Sequence, residues 1–452
     1  IWAAATYNPT LPVYSGNHAF GGYLEALDNV GEPVNAAVLN PLGYIKQNKS
    51  TSKVTRFVGN ADVDYRVHFL PDLKFHATLG YDYAEGKGKV YVPAEAMQYY
   101  TTGGRDYSYG PQKNTNRLLT TYLNYNKYLD SWKSNIDATV GYDYQFWKST
   151  SPLYSELNTL GAVQSTSAAT DQRHALISYY ARLNYTFDSR YMLTATVRRD
   201  GTSRFNKDNR WGTFPSVALA WRVSEEAFLK DNTVLSNLKL RASYGVTGQQ
   251  DGIGNYNYLP VYTYSQTGAE VQFGNQFINT YRPEAYVSDL KWETTTSWNA
   301  GFDFGFLKDR ISGSFDFYTR KTEDLLATVA APAGSTFDKT ILTNVGNVDS
   351  KGIEVTLNAT PIQTKDWNWD ISFNMTWQKM KVKNLSLVES SAVTNTAVGP
   401  WIDGYQFQVL SEGYAPYMFY VYHQLYDEKT GKPIEGAYAD LNDDGVIDSN
   451  DL

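Results

Sequence analysis

The sequence of 452 residues contains no cysteine, so it can form neither a disulfide framework nor a thiolate metal site. It contains only five histidines, and their spacing matches no metal-ligand pattern. The formal net charge of -7 argues against a nucleic-acid partner. No run of about 18 apolar residues is present, which excludes a readable transmembrane helix. Strands that alternate apolar and polar residues escape such a search, so a membrane location stays open.

Alternation with a period of two dominates the sequence. Within residues 177–201, every second residue is apolar or aromatic up to Phe187, and the pattern resumes from Tyr191 to Val197. Roughly a dozen segments share this period, which predicts antiparallel strands with one apolar face. Further examples are 63–69, 136–146, 238–246, 298–306, 353–359 and 369–377. Helical spacing is nearly absent, and residues 224–230 are the best candidate for a short helix.

Short and long connections alternate between these predicted strands. The short ones are 70–72, 130–131, 188–190, 308–309 and 361–366; the long ones are 85–116, 148–173, 248–290 and 323–349. Long polar loops of this kind are unusual inside a compact soluble domain. Short turns on one side and long loops on the other are typical of an outer-membrane barrel.

The two faces of the predicted strands suggest two different environments. Aromatic residues near strand ends suit membrane interfaces, and the polar face suits a hydrated lumen. We therefore predict an all-β fold, an antiparallel transmembrane β-barrel with short periplasmic turns and long extracellular loops, whose apolar face meets outer-membrane lipid. A secreted β-sandwich, or an array of them, would alternate in the same way. Strand length and the asymmetry of the connections favour the barrel.

The most specific local motif is DLNDDGVIDSND, residues 440–451. It follows the pattern of a calcium loop, in which several hard oxygens surround a tight turn at Gly445. The candidate metal ligands are Asp440, Asn442, Asp444, Val446 through its carbonyl, Asp448 and Asp451. Asp451 takes the place of the usual bidentate Glu, and its shorter side chain should weaken the site. A surface turn rich in Asx and Gly that binds no metal is the alternative.

Other motifs give no positive reason to predict an enzyme. No nucleophile elbow, HExxH motif or P-loop lysine is present. The Gly-rich stretch 246–256 opens no evident helix, so we interpret it as a loop exit rather than a phosphate loop. Residues 198–205, RRDGTSRF, could grip an anion, but a turn at a barrel rim is the favoured interpretation. The Tyr-rich stretches 95–110 and 256–268 suit sugar stacking, and equally suit packing or a protein interface, which we favour.

Several stretches resemble the C-terminal barrel region of SusC/RagA-type TonB-dependent outer-membrane transporters of the Bacteroidetes. They are RRDGTSRFNKDNRWGTFPSVALAWRVSEEAFLK, LKLRASYGVTGQQDGIGNY, LKWETTTSWNAGFDFGFLKDRISGSFDFYTRKTEDLL, NVGNVDSKGIEVTLNATPI and DLNDDGVIDSND. The resemblance implies a plugged barrel of about 22 strands. It further implies a SusD-like surface lipoprotein, energy from the TonB complex through an N-terminal part, and glycans or peptides as the imported nutrients. Passive porins and surface receptors or adhesins that bind glycans are the alternatives.

The organisation expected along the chain follows from this resemblance. Residues 1–52 would be an extracellular loop segment leading into the barrel, 53–382 barrel strands with long loops, and 383–452 a barrel or extracellular loop segment with the Asp-rich loop. The sequence begins at Ile1 without an initiator Met or signal peptide. The plug and the last strands are absent from it, and an isolated half barrel would leave two unpaired edges in lipid. We therefore expect a longer polypeptide.

Overall fold

The structure is a computed structural model that describes residues 2–16, 18–34, 36–265, 269–332, 334, 336, 338–385, 396–402, 406–448 and 451. Within these residues β-strands are the dominant secondary structure, and they are joined by turns, irregular segments, two short α-helices and four 3-10 helices. The α-helices are α1 (Trp2–Thr6) and α2 (Pro41–Gln47), and the 3-10 helices are Ala19–Gly22, Met97–Thr102, Asp130–Trp132 and Val223–Glu225. No described helix is long and apolar enough to span a membrane.

The strands differ greatly in length, and the long ones form the framework. In chain order they are β1 (Lys49–Arg66), β2 (Leu73–Val92), β3 (Arg105–Leu129), β4 (Ser134–Ser151), β5 (Tyr154–Leu157), β6 (Val163–Ser167), β7 (Thr170–Phe187), β8 (Tyr191–Thr202), β9 (Trp211–Arg222), β10 (Leu235–Gln249), β11 (Tyr262–Tyr264), β12 (Val271–Phe273), β13 (Gln276–Ile278), β14 (Tyr281–Pro283), β15 (Glu293–Phe306), β16 (Ile311–Glu323), β17 (Leu326–Ala330), β18 (Thr340–Asn344), β19 (Asn347–Gln363), β20 (Asn368–Asn384), β21 (Thr396–Val398), β22 (Gln408–Leu410), β23 (Met418–Phe419), β24 (Gln424–Tyr426) and β25 (Pro433–Tyr438). The all-β, antiparallel prediction is confirmed.

The chain divides into two compact units. One comprises residues 1–65, 75–122 and 142–177, and the other comprises 66–74, 123–141 and 178–452. In the second unit β8, β9, β10, β15, β16, β19 and β20 are hydrogen-bonded neighbours in that order. Every pair is antiparallel, and the long strands follow chain order. This up-and-down order arises because hairpin-linked strands pair with their sequence neighbours.

The register of the second unit sorts side chains onto two faces. One row of partners runs across the sheet as Leu193, Leu219, Ala242, Ala300, Phe317, Ile353 and Trp377. The next row on the opposite face includes Ala220, Arg241, Gly301, Asp316, Glu354 and Thr376. The apolar row stays exposed, with Leu219 56% and Trp377 52% accessible. Soluble proteins rarely expose so large a continuous apolar surface to water, so this face is expected to contact an apolar environment.

Two predicted turns agree closely with the structure. Residues 188–190 connect β7 to β8, and Phe306 pairs with Ile311 across the turn that follows β15. The second turn holds three consecutive residues with positive φ, Leu307, Lys308 and Asp309. Such strained conformations persist only where neighbours fix them. Here the Leu307 N–H donates to the Val234 carbonyl at 2.7 Å.

The structure differs from prediction in the helix candidate and in the loops. Residues 224–230 form only a 3-10 turn, Val223–Glu225, followed by further turns, because the segment is too short to offset helix nucleation. The strands also exceed the expected length of about ten residues: β3 has 25 residues and β2 has 20. Most of 85–116 is therefore strand, and 148–173 includes the hairpin β5–β6. Where a strand extends beyond the membrane, water can contact both of its faces, so its sequence there need not alternate between apolar and polar residues.

In the first unit, β1, β2, β3 and β4 are neighbours in that order. Buried Asn40 organises the segment before β1. Its side chain accepts hydrogen bonds from the N–H groups of Leu42 and Gly43 at the start of α2, and donates to the carbonyls of Val13 (2.8 Å) and Leu24 (3.1 Å). This one amide both caps the helix and holds two preceding loops against it. β1 begins at Lys49 and β20 ends at Asn384; the extracellular placement of residues 1–52 and 383–452 stays a prediction.

Candidate functional site

The polar face of the second unit is organised around Arg241 on β10. Its guanidinium lies between two carboxylates, with Nη2 2.8 Å from Asp303 Oδ1 and 3.0 Å from Asp316 Oδ2. Nε and Nη1 add further hydrogen bonds to the same two residues. Lys239 approaches Asp303 at 3.7 Å. The planar fork of an arginine suits such bidentate bridging, which a lysine cannot reproduce.

The register explains why this cluster forms. Gly301 of β15 is the partner of both Arg241 on β10 and Asp316 on β16. A Cβ at this glycine would lie 2.5 Å from Asp316 Oδ1 and 2.5 Å from the Phe315 carbonyl oxygen. The missing side chain thus opens the gap across which the guanidinium reaches the carboxylate two strands away. The sequence carries the charges at polar-face positions, but only the pairing shows that they meet.

A second polar cluster lies where β8 ends. Arg198 donates from Nε to Asp200 at 2.8 Å and from Nη2 to Ser178 Oγ at 2.7 Å. Arg204 donates to Asp251 Oδ1 at 2.9 Å, and the Arg199 guanidinium lies 5.6 Å from the Trp211 ring centre. All three arginines of the RRDGTSRF stretch therefore contact groups of this chain. Residues 198–202 form the end of strand β8, and the turn begins only at Ser203, so the predicted turn covers only the last part of this stretch; its location at a rim stays a prediction.

Aromatic packing anchors the long connection that follows β10. Phe205 and Leu290 are fully buried, and Phe214 and Trp292 are nearly so. The Trp292 ring centre lies 5.7 Å from that of Phe205 and 5.4 Å from that of Phe214. This small core closes the base of residues 250–292 and so fixes where the connection leaves the sheet.

That connection carries a hairpin with exposed tyrosines. β11 pairs with β14, and a cavity of about 640 Å³ lies beside them. Tyr264 and Tyr281 line it with ring centres 5.0 Å apart, and Tyr281 is 68% exposed. Arg282 donates to Asp338 at 3.0 Å, which ties the hairpin to the following connection. Exposed rings beside the hydroxyls of Thr263 and Thr280 suit sugar or peptide contact.

The other Tyr-rich stretch is packed instead. Arg105 lies 4.0 Å above the Tyr99 ring, and Tyr100 makes an edge contact with buried Phe20 at 5.1 Å. Tyr107 stacks on Tyr154 at 6.3 Å. These contacts support the packing interpretation for Tyr99 and Tyr107, whereas Tyr100 stays 45% exposed, and Tyr281 of the β11–β14 pair is more exposed, at 68%.

The polar face of the first unit carries paired groups as well. Arg56 makes two hydrogen bonds to Asp82, at 2.8 and 3.0 Å, and Asn116 adds a third at 3.2 Å. His76 lies 2.9 Å from Asp64 and 2.9 Å from Thr78 Oγ1. The contacts of Asp82 with Arg56 and Asn116, and that of His76 with Asp64, join neighbouring strands and so stabilise their register, whereas His76 and Thr78 lie on the same strand, β2.

The Asp-rich loop is held as a tight turn by its own side chains. The Asp440 carboxylate accepts the backbone N–H groups of Asp444 at 3.2 Å and Gly445 at 2.7 Å. Asn442 Oδ1 accepts the Asp444 N–H at 3.1 Å, and Asp444 Oδ1 accepts the Val446 N–H at 2.8 Å. Gly445 has φ +80°, which a residue with a Cβ rarely adopts. The turn predicted at Gly445 is present.

Asp451 closes this loop through backbone hydrogen bonds. Its two carboxylate oxygens accept the N–H groups of Leu441 at 2.7 Å and Asp448 at 2.9 Å, and the residue is fully buried. The Asp448 N–H is the largest cause that lowers the Asp451 pKa below its usual value. No group of three metal-ligating His, Asp or Glu side chains was found in the part of the chain that the structure describes. The assignment of Asp440, Asn442, Asp444, Val446, Asp448 and Asp451 as metal ligands stays a prediction.

Sequence reasoning missed the Arg241 cluster and did not single out Tyr281. A signal for the first existed, since Lys239, Arg241, Asp303 and Asp316 all fall on polar-face positions of adjacent predicted strands. The signal for Tyr281 was weaker, because Tyr281 lies outside the Tyr-rich stretch 256–268 that drew attention in the sequence. In both cases the decisive information is which residues the strand pairing brings together.

Comparison with known proteins identifies the family. Residues 4–437 match the family described as TonB dependent receptor-like, beta-barrel. The TonB-dependent receptor SusC of Bacteroides thetaiotaomicron is 40% identical over the whole chain, which covers 46% of that protein. The TonB-dependent receptor P3 of Formosa agariphila is 29% identical, again over the whole chain and 45% of the relative. The chain thus spans about half the length of these curated relatives.

Solved structures agree on the fold. The RagAB peptide transporter matches with a TM-score of 0.72 at 23% identity, covering 92% of this chain and 46% of the solved one. The RagAB peptide importer in its closed-closed state matches with a TM-score of 0.71 over 93% of this chain. The exposed apolar face and the paired polar face now have a common explanation in a barrel wall between lipid and lumen. The chain belongs to the TonB-dependent receptor β-barrel family of the bacterial outer membrane.

Proposed function

We propose that the protein containing this chain actively imports large nutrients, glycans or peptides, across the outer membrane with energy from TonB. The observation that carries the proposal is 40% identity over the entire chain to the TonB-dependent receptor SusC. In this mechanism the chain binds and translocates and performs no covalent chemistry. The TonB complex would act through an N-terminal part, and a SusD-like surface lipoprotein would meet the long connections.

The charge arrangement of the lumen wall supports passage rather than retention. Arg241 and Arg198 are each matched by carboxylates within 3.0 Å. A wall whose charges already have partners offers a solute hydrogen bonds without strongly holding its charge. The exposed rings of Tyr264 and Tyr281 on the β11–β14 hairpin would provide first contact for substrate or lipoprotein.

Uptake by the native host tests the proposal. Deleting the full-length gene should abolish saturable accumulation of one class within a panel of labelled oligosaccharides and peptides. Deleting TonB should have the same effect, and a tagged full-length protein should bring down a surface lipoprotein in detergent. A passive porin would still admit the solute without TonB. A receptor or adhesin would bind it at the surface with no accumulation, and either result would refute the import proposal.

Calcium binding by the loop at 440–451 is a separate proposal, which the chemistry of the donors supports. Each carboxylate oxygen of Asp440 and Asp444 has a lone pair beyond the one its N–H partner uses. Calcium would draw these oxygens, with Asn442, the Val446 carbonyl and Asp448, around one centre. Asp451 would contribute weakly, since the backbone N–H groups of Leu441 and Asp448 already hold both its oxygens.

We expect calcium to protect this loop from protease in the full-length protein, and Asp444→Ala to remove the protection. Asp427→Ala is the matched control, because Asp427 shapes another turn through Lys429 and Thr430. Limited proteolysis with and without calcium, read by mass spectrometry, gives the answer. Equal cleavage in both conditions for the unmutated protein would mean that the loop is a metal-free turn.

A further inference from the structure

The apolar face of the second unit, opposite the polar face that carries Arg241, has a depression. Two neighbouring grooves, of about 400 and 280 Å³, lie on it and share Leu219 and Ala242. The first extends from these residues toward Tyr191 and Trp221, and the second toward Trp298. They are therefore parts of one trench across β8, β9, β10, β15 and β16.

Small residues surrounded by large ones create this trench. Ala242 is the register partner of Leu219 on one side and Ala300 on the other, and Ala300 pairs with Phe317. The bulky neighbours project outward, with Leu219 56% and Trp298 59% exposed. Two adjacent alanines thus form a floor between aliphatic and aromatic ridges.

One end of the trench has rigid walls. Glu226, in the connection after β9, accepts hydrogen bonds from the Tyr191 hydroxyl at 2.6 Å and from Trp221 Nε1 at 3.0 Å. These two bonds are the leading causes that lower the Glu226 pKa. Arg190 adds an ion pair at 2.7 Å, so the carboxylate stays charged and the two rings stay fixed. A preformed wall lowers the entropy that a bound group would lose.

The chemistry of the trench is that of a hydrocarbon site. Arg241, Ser243 and Asn299 also border it, but the register directs their side chains to the opposite face, where Arg241 meets its two aspartates. Leu240 and Tyr244, at the two ends, are four residues apart, which corresponds to about 13 Å of strand. Because barrel strands are tilted by about 40°, this length corresponds to about 10 Å along the membrane normal, which lies within one half of a hydrocarbon core of about 30 Å.

We propose that this trench binds an acyl chain of a phospholipid from the leaflet on the side of the short turns. The occupant follows from continuity with the membrane-facing surface, from a depth that lies within one leaflet, and from the aromatic rings of Tyr191 and Trp221 fixed at the interfacial end. An extended acyl chain over Ala242 and Ala300 would fill the trench and gain dispersion contacts with its walls, which a mobile lipid of the surrounding bilayer makes only in part. The bound lipid would hold β8 to β16 at a defined depth in the membrane.

Photolabelling of the full-length protein tests this site. The protein is reconstituted in phosphatidylethanolamine vesicles that contain a small fraction of phospholipid with a diazirine on its acyl chain, and labelled peptides are mapped by mass spectrometry. Labelling of 217–221, 240–244 and 298–300 should exceed that of the apolar face at 355–359 at least threefold. In Ala242→Leu/Ala300→Leu, which fills the floor, this excess should disappear.

The matched control is Ala138→Leu/Ala181→Leu, two alanines of the apolar face outside both the trench and the reference segment, and it should keep the excess. Both variants add only apolar atoms on the lipid side, and heat-modifiable migration verifies their folding. Uniform labelling of all apolar positions would mean ordinary surrounding lipid and would overturn the proposal. A photoreactive residue introduced at position 298 tests for a protein partner. If the trench is not labelled by lipid and this residue cross-links two copies of the protein, the trench binds protein and the lipid proposal is refuted.

Discussion

Leu183→Arg is expected to block assembly of the barrel, whereas Asn184→Arg is expected to leave most of it intact. Leu183 lies on the apolar face of β7 and is 38% exposed, so an arginine there would enter lipid. The cost of an arginine on a barrel's lipid face rises from about 0–1 kcal/mol near the interfaces to about 2–4 kcal/mol at the midplane. Asn184 accepts a hydrogen bond from Thr194 Oγ1 at 2.9 Å, and its loss would cost about 1 kcal/mol.

The two variants form a matched pair because they place the same side chain one residue apart on the same strand. The folded fraction in outer membranes, read as the heat-modifiable band on a gel, measures the difference. A difference of about 2 kcal/mol would change the folded-to-unfolded ratio roughly thirtyfold. Equal losses at both positions would contradict the assignment of faces, and a larger loss at 184 would reverse it.

The faces could be predicted from sequence because lipid and water impose opposite requirements on alternate residues. The same logic located the turn at 188–190 and the pairing of Phe306 with Ile311, since residues opposite each other in a hairpin must share a face. The prediction of strand ends failed where lipid no longer contacts one face of the strand. Outside the apolar band, β2 and β3 continue with polar residues on both faces, and the sequence pattern there resembles a loop.

The sites depend on information that alternation does not contain. Arg241 and Asp316 are 75 residues apart and meet only because Gly301 separates them in the register. The role of Glu226 was hidden for a related reason, since the segment around it had the spacing of a short helix. Its carboxylate is positioned instead by turns and by the side chains of Tyr191 and Trp221. The local sequence pattern predicts on which face of the sheet a side chain lies. Which side chains it contacts on that face depends on how distant strands pair.

Arg241→Ala is expected to destabilise the folded barrel by about 1–3 kcal/mol, because it leaves Asp303 and Asp316 facing each other without their shared cation. The value lies below that of a fully buried pair, since Arg241 and Asp303 are each 29% exposed and water screens part of the repulsion. Lys239→Ala is the matched control on the same strand and face. Its single contact, 3.7 Å from Asp303, should contribute less than about 1 kcal/mol.

A triple variant, Arg241→Ala/Asp303→Asn/Asp316→Asn, distinguishes the electrostatic contribution of Arg241 to stability from its packing contribution. If uncompensated carboxylates cause the loss, removing both charges should restore most of the stability, and Arg241→Lys should restore only part, because an ammonium cannot bridge both carboxylates in the plane of a guanidinium. The midpoint of heat modification for the purified full-length protein measures each variant. If the triple variant is as unstable as Arg241→Ala, the Arg241 side chain acts by filling space between the strands. If Arg241→Ala loses no more stability than Lys239→Ala, the bridge does not stabilise the lumen wall.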